Sequence, residues 1–170
     1  MHAQCWQGLP MIHAPWVSRE MTGGYTHMPP ESAYRQQIMQ LDRDGLLALW
    51  QAIRAGETPG WEAGRALEYL ILRAFQLEGA EVRWPYNVQS FEQIDGFVYT
   101  DGLACLVETK DRKTPMDMSD IAKVRHRLAR RPPTVIGLLF SRSRFSSPVL
   151  QQARFFFPQN VLLWNGEEIA

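Results

Sequence analysis

The sequence has little cysteine, no net charge and no long apolar run, and each shortage removes a class of protein. Its two cysteines, Cys5 and Cys105, lie far apart and lack metal-ligand spacing, which excludes a cysteine-built metal site. A reducing cytoplasm is the compartment we expect. Eighteen Lys and Arg balance eighteen Asp and Glu, so the whole-chain charge announces no polyanionic partner. No stretch approaches the ~20 apolar residues of a membrane span, and we expect no membrane association. The opening residues have no basic start followed by an apolar run, so they do not read as a signal peptide. Residues 1–30 read as a flexible tail, with Met21 and Met28 as alternative starts. Internal repeats and low-complexity tracts are also missing, which excludes a solenoid.

What is there is a chain of 170 residues with 45% hydrophobic content, enough for one domain with a core around a sheet. Two short helical patterns come first, Glu31 to Gln40 and Arg43 to Ala55, the second with Leu46, Leu47, Trp50 and Ile53 on one face. We expect residues 31–57 to form a helical segment packed on a main domain of residues 58–170. Thr58 and Pro59 suggest the cap and first turn of a longer helix, with Leu67, Leu70, Ile71, Ala74 and Phe75 as its apolar stripe and Gly79 at its end. Three strand-like runs follow, Glu81 to Val88, Gln93 to Thr100 and Leu103 to Lys110, the last two joined by the tight-turn pair Asp101-Gly102. A helix over Ser119 to Arg130 stops at Pro132-Pro133, ahead of a buried strand from Thr134 to Phe140. Ser147-Pro148 opens a helix to about Phe156, and Val161 to Trp164 is a final strand. This order predicts an α/β fold with a mixed sheet between helices.

Strand alternation puts Glu108 and Lys110 on one face, about 7 Å apart along the backbone. The hairpin through Asp101-Gly102 can fold Asp95 alongside Glu108. Two carboxylates brought together in a dry setting repel, and a hard divalent cation relieves the conflict. Asp95, Glu108 and the backbone carbonyl of Thr109 could hold Mg²⁺, with Mn²⁺ as a substitute. Such an ion polarises a phosphate and acidifies a bound water, while Lys110 orients that water or offsets charge growing on phosphorus. Glu68 falls at the edge of the long helix's apolar stripe, where a carboxylate needs a partner.

Helix Glu68, then Ile94-Asp95-Gly96, then Glu108-Thr109-Lys110, with Glu108 thirteen positions after Asp95, resembles the PD-(D/E)XK nuclease superfamily. Val135 to Arg154 and Val161 to Ile169 look like the tail of its Mrr-type restriction-endonuclease domains, so the resemblance covers about Thr58 to Ile169. Ile94 stands where the motif's name has proline, and the later helix carries no glutamine-based motif variant. The resemblance implies a restriction-endonuclease-like three-layer α-β-α core with a mixed central sheet, here with added N-terminal helices. It implies a Mg-dependent endodeoxyribonuclease of restriction, repair or mobile-element type. Glu68, Asp95, Glu108 and Lys110 are then catalytic, with Glu68 reaching the metal directly or through water.

Charge is uneven along the chain: between Lys110 and Arg144 ten Lys or Arg face three acids. Lys123, His126, Arg127 and Arg130 recur on one side of their helix, opposite Ile121, Val124 and Leu128. With Arg112, Lys113, Arg142 and Arg144 they suit phosphate contacts to DNA, double-stranded by expectation. Each signal has a plainer meaning. Glu-X-Lys is often a solvated ion pair, and a basic helix face is often merely wet. His2, His13 and His27 fall in the tail, while Trp61, Trp84, Trp164 and the Phe155 to Phe157 run read as packing. The alternatives to a DNA endonuclease are a catalytically inactive nucleic-acid or protein interaction module with the same fold, and a branched-DNA or RNA nuclease. A homodimer and a specificity-giving protein partner are further expectations.

Overall fold

The computed structural model describes residues 30–88, 92–153, 155 and 160–169. Apart from Pro30, the tail assigned to residues 1–30 lies outside the described residues, as do Phe156 and Phe157. Helix α1 (Pro30–Met39) leads by a short turn into α2 (Arg43–Ala55). The Asp42 carboxylate caps α2 by accepting the Gly45 N–H at 2.9 Å, and Gly56 ends it in the left-handed conformation at φ 80°.

The next helix, α3 (Arg65–Leu77), starts later than the Thr58-Pro59 signal predicts. Gly60 and Gly64 adopt φ of 80° and 85°, a backbone through which no right-handed helix continues. Residues 58–64 therefore fold as turns, with Trp61 N–H donating to the Thr58 carbonyl and Arg65 N–H to that of Glu62. These turns stack Trp61 on Tyr34 at 5.1 Å and tilt it against Tyr69 at 5.9 Å, which fastens α1 to α3.

Two predicted strands are each split. Glu81 to Val88 becomes β1 (Glu81–Arg83) and β2 (Tyr86–Val88), parted at Trp84-Pro85 because Pro85 has no N–H to give a ladder. Gln93 to Thr100 becomes β3 (Glu92–Ile94) and β4 (Gly96–Thr100), parted at Asp95. Strands β2 and β3 pair with each other, away from the main sheet. The remaining elements are β5 (Leu103–Lys110), α4 (Met118–Leu128), β6 (Ile136–Ser141), α5 (Ser147–Ala153) and β7 (Val161–Trp164). Asp117 and Asp120 close a reciprocal capping box at the start of α4.

The main sheet has the order β1-β4-β5-β6-β7, antiparallel from β1 to β5 and parallel from β5 to β7. This is the mixed sheet between helices that the element order predicts. Alternation along β5 feeds two cores: Cys105 and Val107 join residues of α1, α2 and α3, and Leu106 joins residues of α4 and α5. Gly96 sets how closely α3 lies on the sheet, since a Cβ there would stand 2.6 Å from Leu72 and 3.1 Å from the Arg83 carbonyl. Leu72 is fully buried over it, a contribution of roughly 1.5–3 kcal/mol. One helical turn earlier than Leu72 lies Glu68, so the same close approach lowers that carboxylate toward the end of β5. No described helix is long and apolar enough to cross a membrane.

Candidate active site

Asp95 occupies the break between β3 and β4, one step beyond the Gly96 and Val107 pair, which sets it opposite Glu108. Its Oδ2 accepts the Thr109 N–H at 2.8 Å and the Thr109 hydroxyl at 3.3 Å. The broken ladder is thus completed by a side chain, and Asp95 is tied to β5. Lys110 Nζ donates to Glu108 Oε1 at 2.5 Å, as expected for residues two apart on a strand. Glu68 accepts from Arg65 Nη1 at 2.7 Å. Glu68, Asp95, Glu108, Thr109 and Lys110 line one polar cleft of about 390 Å³, together with Glu62, Arg65, Gln93 and Arg127. The four residues singled out from sequence therefore meet in space.

All three carboxylates are buried, Glu68 at 8%, Asp95 at 7% and Glu108 at 2% exposure. Burial pushes each carboxyl above its ordinary value. The charge of Glu68 adds to the rise at Asp95, and the charge of Asp95 adds to the rise at Glu108. Arg65 opposes the rise at Glu68, the Thr109 N–H opposes it at Asp95, and Lys110 with Arg127 opposes it at Glu108. These internal partners are not enough to reverse it. Among the described residues no three His, Cys, Asp or Glu side chains are gathered into a ready-made metal cage. The reason is visible in the contacts: Glu68 turns to Arg65, and Glu108 gives one oxygen to Lys110 and the other to Arg127.

The basic residues divide into two groups. Lys113, Lys123, His126, Arg130 and Arg144 are exposed, although Arg130 pairs with Glu92 and Arg144 with Glu167. Arg112 is paired with the buried Asp120. Arg142 spans Asp111 and the Ile53 carbonyl, each at 2.7 Å, and so staples the end of β6 to α2. Arg127 turns inward to Glu108 and Glu92 and belongs to the cleft. Sequence reading missed Arg65, Gln93 and Glu92. Two signals pointed to the first two: Arg65 precedes Glu68 by one turn, and Gln93 precedes Asp95 by two, the spacing that paired Glu108 with Lys110. Glu92 offered none, because its partners Arg127, Arg130 and Arg131 come from a distant helix and its end.

No protein-family model and no curated protein matches the chain. Solved structures do resemble it. A DNA nuclease of type III CRISPR defence activated by cyclic oligoadenylate is 18% identical with TM-score 0.50, the match covering 74% of this chain and 23% of that one. The DNA modification-dependent restriction endonuclease AspBHI is 13% identical with TM-score 0.44, over 92% and 41% of the two chains. The MspJI restriction endonuclease, solved with a 27-mer oligonucleotide, is 15% identical with TM-score 0.38, over 91% and 35%. The chain spans less than half the length of each. At 18% identity, the likeness to the CRISPR nuclease is one of fold.

Proposed function

We propose that the chain is a metal-dependent DNA endonuclease of the PD-(D/E)XK type, hydrolysing phosphodiester bonds in a restriction, repair or mobile-element setting. The observation that carries this reading is the meeting of Glu68, Asp95, Glu108 and Lys110 in one cleft at the end of β5. The donor set suits a hard divalent cation, being carboxylate and carbonyl oxygens. The charge suits it too. Four acids, Glu62, Glu68, Asp95 and Glu108, line the cleft against three bases, Arg65, Lys110 and Arg127. A divalent ion turns that deficit of one into a surplus of one, which a single phosphodiester neutralises.

Asp95, Glu108 and the Thr109 carbonyl would hold Mg²⁺ or Mn²⁺, with Glu68 acting directly or through water. When bound, the ion supplies charge for the scissile phosphate and a more acidic water. The chain supplies the rest. Thr109 keeps Asp95 aimed at Glu108 through its N–H. Lys110, which donates to Glu108, would orient the attacking water or offset charge on phosphorus. The exposed Lys113, Lys123, His126, Arg130 and Arg144 offer phosphate contacts to a duplex, without reading its sequence. Cleavage of both strands favours a homodimer, and a protein partner that brings specificity is a further expectation.

The test is a cleavage assay with Mg²⁺ or Mn²⁺ on linear, supercoiled, single-stranded and branched DNA and on RNA. Cutting is expected with DNA and is expected to vanish in Asp95→Ala, Glu108→Ala and Lys110→Ala. Equal cutting by those variants sinks the assignment, and preference for branched DNA or RNA moves the substrate. One observation favours a second reading, an inactive module with the nuclease fold: both Glu108 oxygens are already engaged by Lys110 and Arg127. Calorimetric titration of folded protein with Mn²⁺ in the presence of a duplex that resists cleavage separates the two, since the module binds none.

A further inference from the structure

Arg127 divides its guanidinium between acids on two different strands. Nη1 donates to Glu108 of β5, while Nε stands 3.3 Å from Glu92 of β3. Glu92 is held independently by Arg130 at 2.8 Å and Arg131 at 3.1 Å, so it keeps its place whether or not Arg127 leans on it. The two contacts differ in consequence. Lys110 takes Oε1 of Glu108 and Arg127 takes Oε2, so a metal ion approaching either oxygen meets the charge of a cation already there. Lys110 follows Glu108 by two residues on the same strand and stays beside it. Arg127 comes from α4, whose outer side carries the exposed Lys123 and His126.

We propose that Arg127 is a built-in counter-cation that keeps metal off Glu108 until nucleic acid lies along α4. The inference rests on the metal-dependent reading above. A phosphate arriving beside Lys123 and His126 competes for the Nη groups of Arg127, while the charge of Glu92 keeps the guanidinium from leaving the cleft. The guanidinium swings toward Glu92 and the phosphate and releases Oε2. Metal and nucleic acid are then coupled positively, each tightening the other by the same factor. The metal site is completed only where there is a strand to cut.

The experiment is calorimetry of the full chain with Mn²⁺, alone and with a phosphorothioate duplex that resists cleavage. Wild-type protein is expected to bind Mn²⁺ weakly alone and about tenfold more tightly with the duplex, an ordinary size for coupling between sites. Arg127→Met is expected to bind alone as tightly as wild type does with duplex, and to gain nothing further. Glu92→Gln is expected to bind less tightly than wild type, because Arg127 then leans on Glu108 alone. The opposite signs are the readout, since loss of a merely structural arginine cluster moves both variants the same way. If wild type binds Mn²⁺ and Arg127→Met binds it no better, the gate is overturned and the metal site stands. If neither binds Mn²⁺ with duplex present, both fall. Thermal melts accompany each titration, and should Arg127→Met fail to fold, the sign for Glu92→Gln decides alone.

Discussion

Two acid clusters lie side by side at the end of the sheet, and burial works against charge in both with opposite outcomes. In the cleft, Glu68, Asp95 and Glu108 sit above their ordinary values because burial is reinforced by one another's charge. At Glu92 burial acts in the same direction, yet hydrogen bonds from Arg130 and Arg131 hold its carboxyl below the ordinary value. Glu92 lies less deeply than the cleft acids, and it also meets more cations per carboxylate. Glu92 faces three guanidiniums, two of them its own and the third shared with Glu108. The cleft is one positive charge short, and a buried anionic group left short in this way is a functional candidate on physical grounds.

The largest expected break between the clusters is in activity against stability. Asp95→Asn keeps an oxygen for the Thr109 N–H while removing a like charge, so the metal-free protein should be as stable as wild type or slightly more so. Its Mg²⁺-dependent cleavage should fall by on the order of 100-fold or more. Glu92→Ala reverses the pattern in the fold, leaving three arginines crowded without their acid. A loss of about 1–3 kcal/mol in urea unfolding is expected there. If Asp95→Asn unfolds without metal while Glu92→Ala does not, the roles of the two clusters have been exchanged.

That contrast was only partly legible in the sequence. The residues Leu103 to Lys110 and Val161 to Trp164 are bounded by turn signals and form β5 and β7 with the expected limits. The meeting of Asp95, Glu108 and Lys110 followed from period-two alternation and one tight turn, and Glu68 from helix angle. Those are local rules, and they suffice where the partner lies on a neighbouring strand. The start of α3 was obscured because Thr58-Pro59 is a sound local signal that Gly60 and Gly64 override with left-handed backbone. At Asp95 the pair Asp95-Gly96 interrupts the apolar pattern and fits a bend as well as a strand, and the separate pairing of β2 with β3 decides for the break. The inward turn of Arg127 was hidden for the same kind of reason. Helical spacing gives a residue's angle, not which strand lies across that angle.

A subtler separation is expected in pH. Groups raised in the fold bind protons more tightly there than in the unfolded chain, so their contribution is present at low pH. It is lost as pH rises above about 4 through the raised values. Glu92, lowered in the fold, contributes above about pH 4 and loses that contribution as pH falls through its lowered value. Melting temperatures of metal-free protein should therefore show a decline toward neutral pH that Asp95→Asn reduces, and an acid-side decline that Glu92→Gln reduces. Saturating Mg²⁺ should suppress the first and leave the second. An unchanged profile in Asp95→Asn would remove the cleft from the account of stability.

The smallest effects belong to basic residues outside both clusters, where exposure decides the outcome. Lys123 is exposed on α4, whereas the Arg142 side chain is 14% exposed, donates to the Ile53 carbonyl and forms an ion pair with Asp111. Lys123→Ala should change stability by less than about 0.5 kcal/mol and flatten the logarithmic salt dependence of duplex binding by about 0.9. Arg142→Ala should leave that slope alone and cost about 1–3 kcal/mol of stability, because the half-buried Asp111 loses its cation and the Ile53 carbonyl loses one of its two donors. Fluorescence anisotropy at several salt concentrations reads the slope, and urea unfolding reads the rest. A flattened slope in Arg142→Ala with stability intact would mean that the guanidinium leaves Asp111 for phosphate, and the staple between β6 and α2 would have to be counted as part of the nucleic-acid surface.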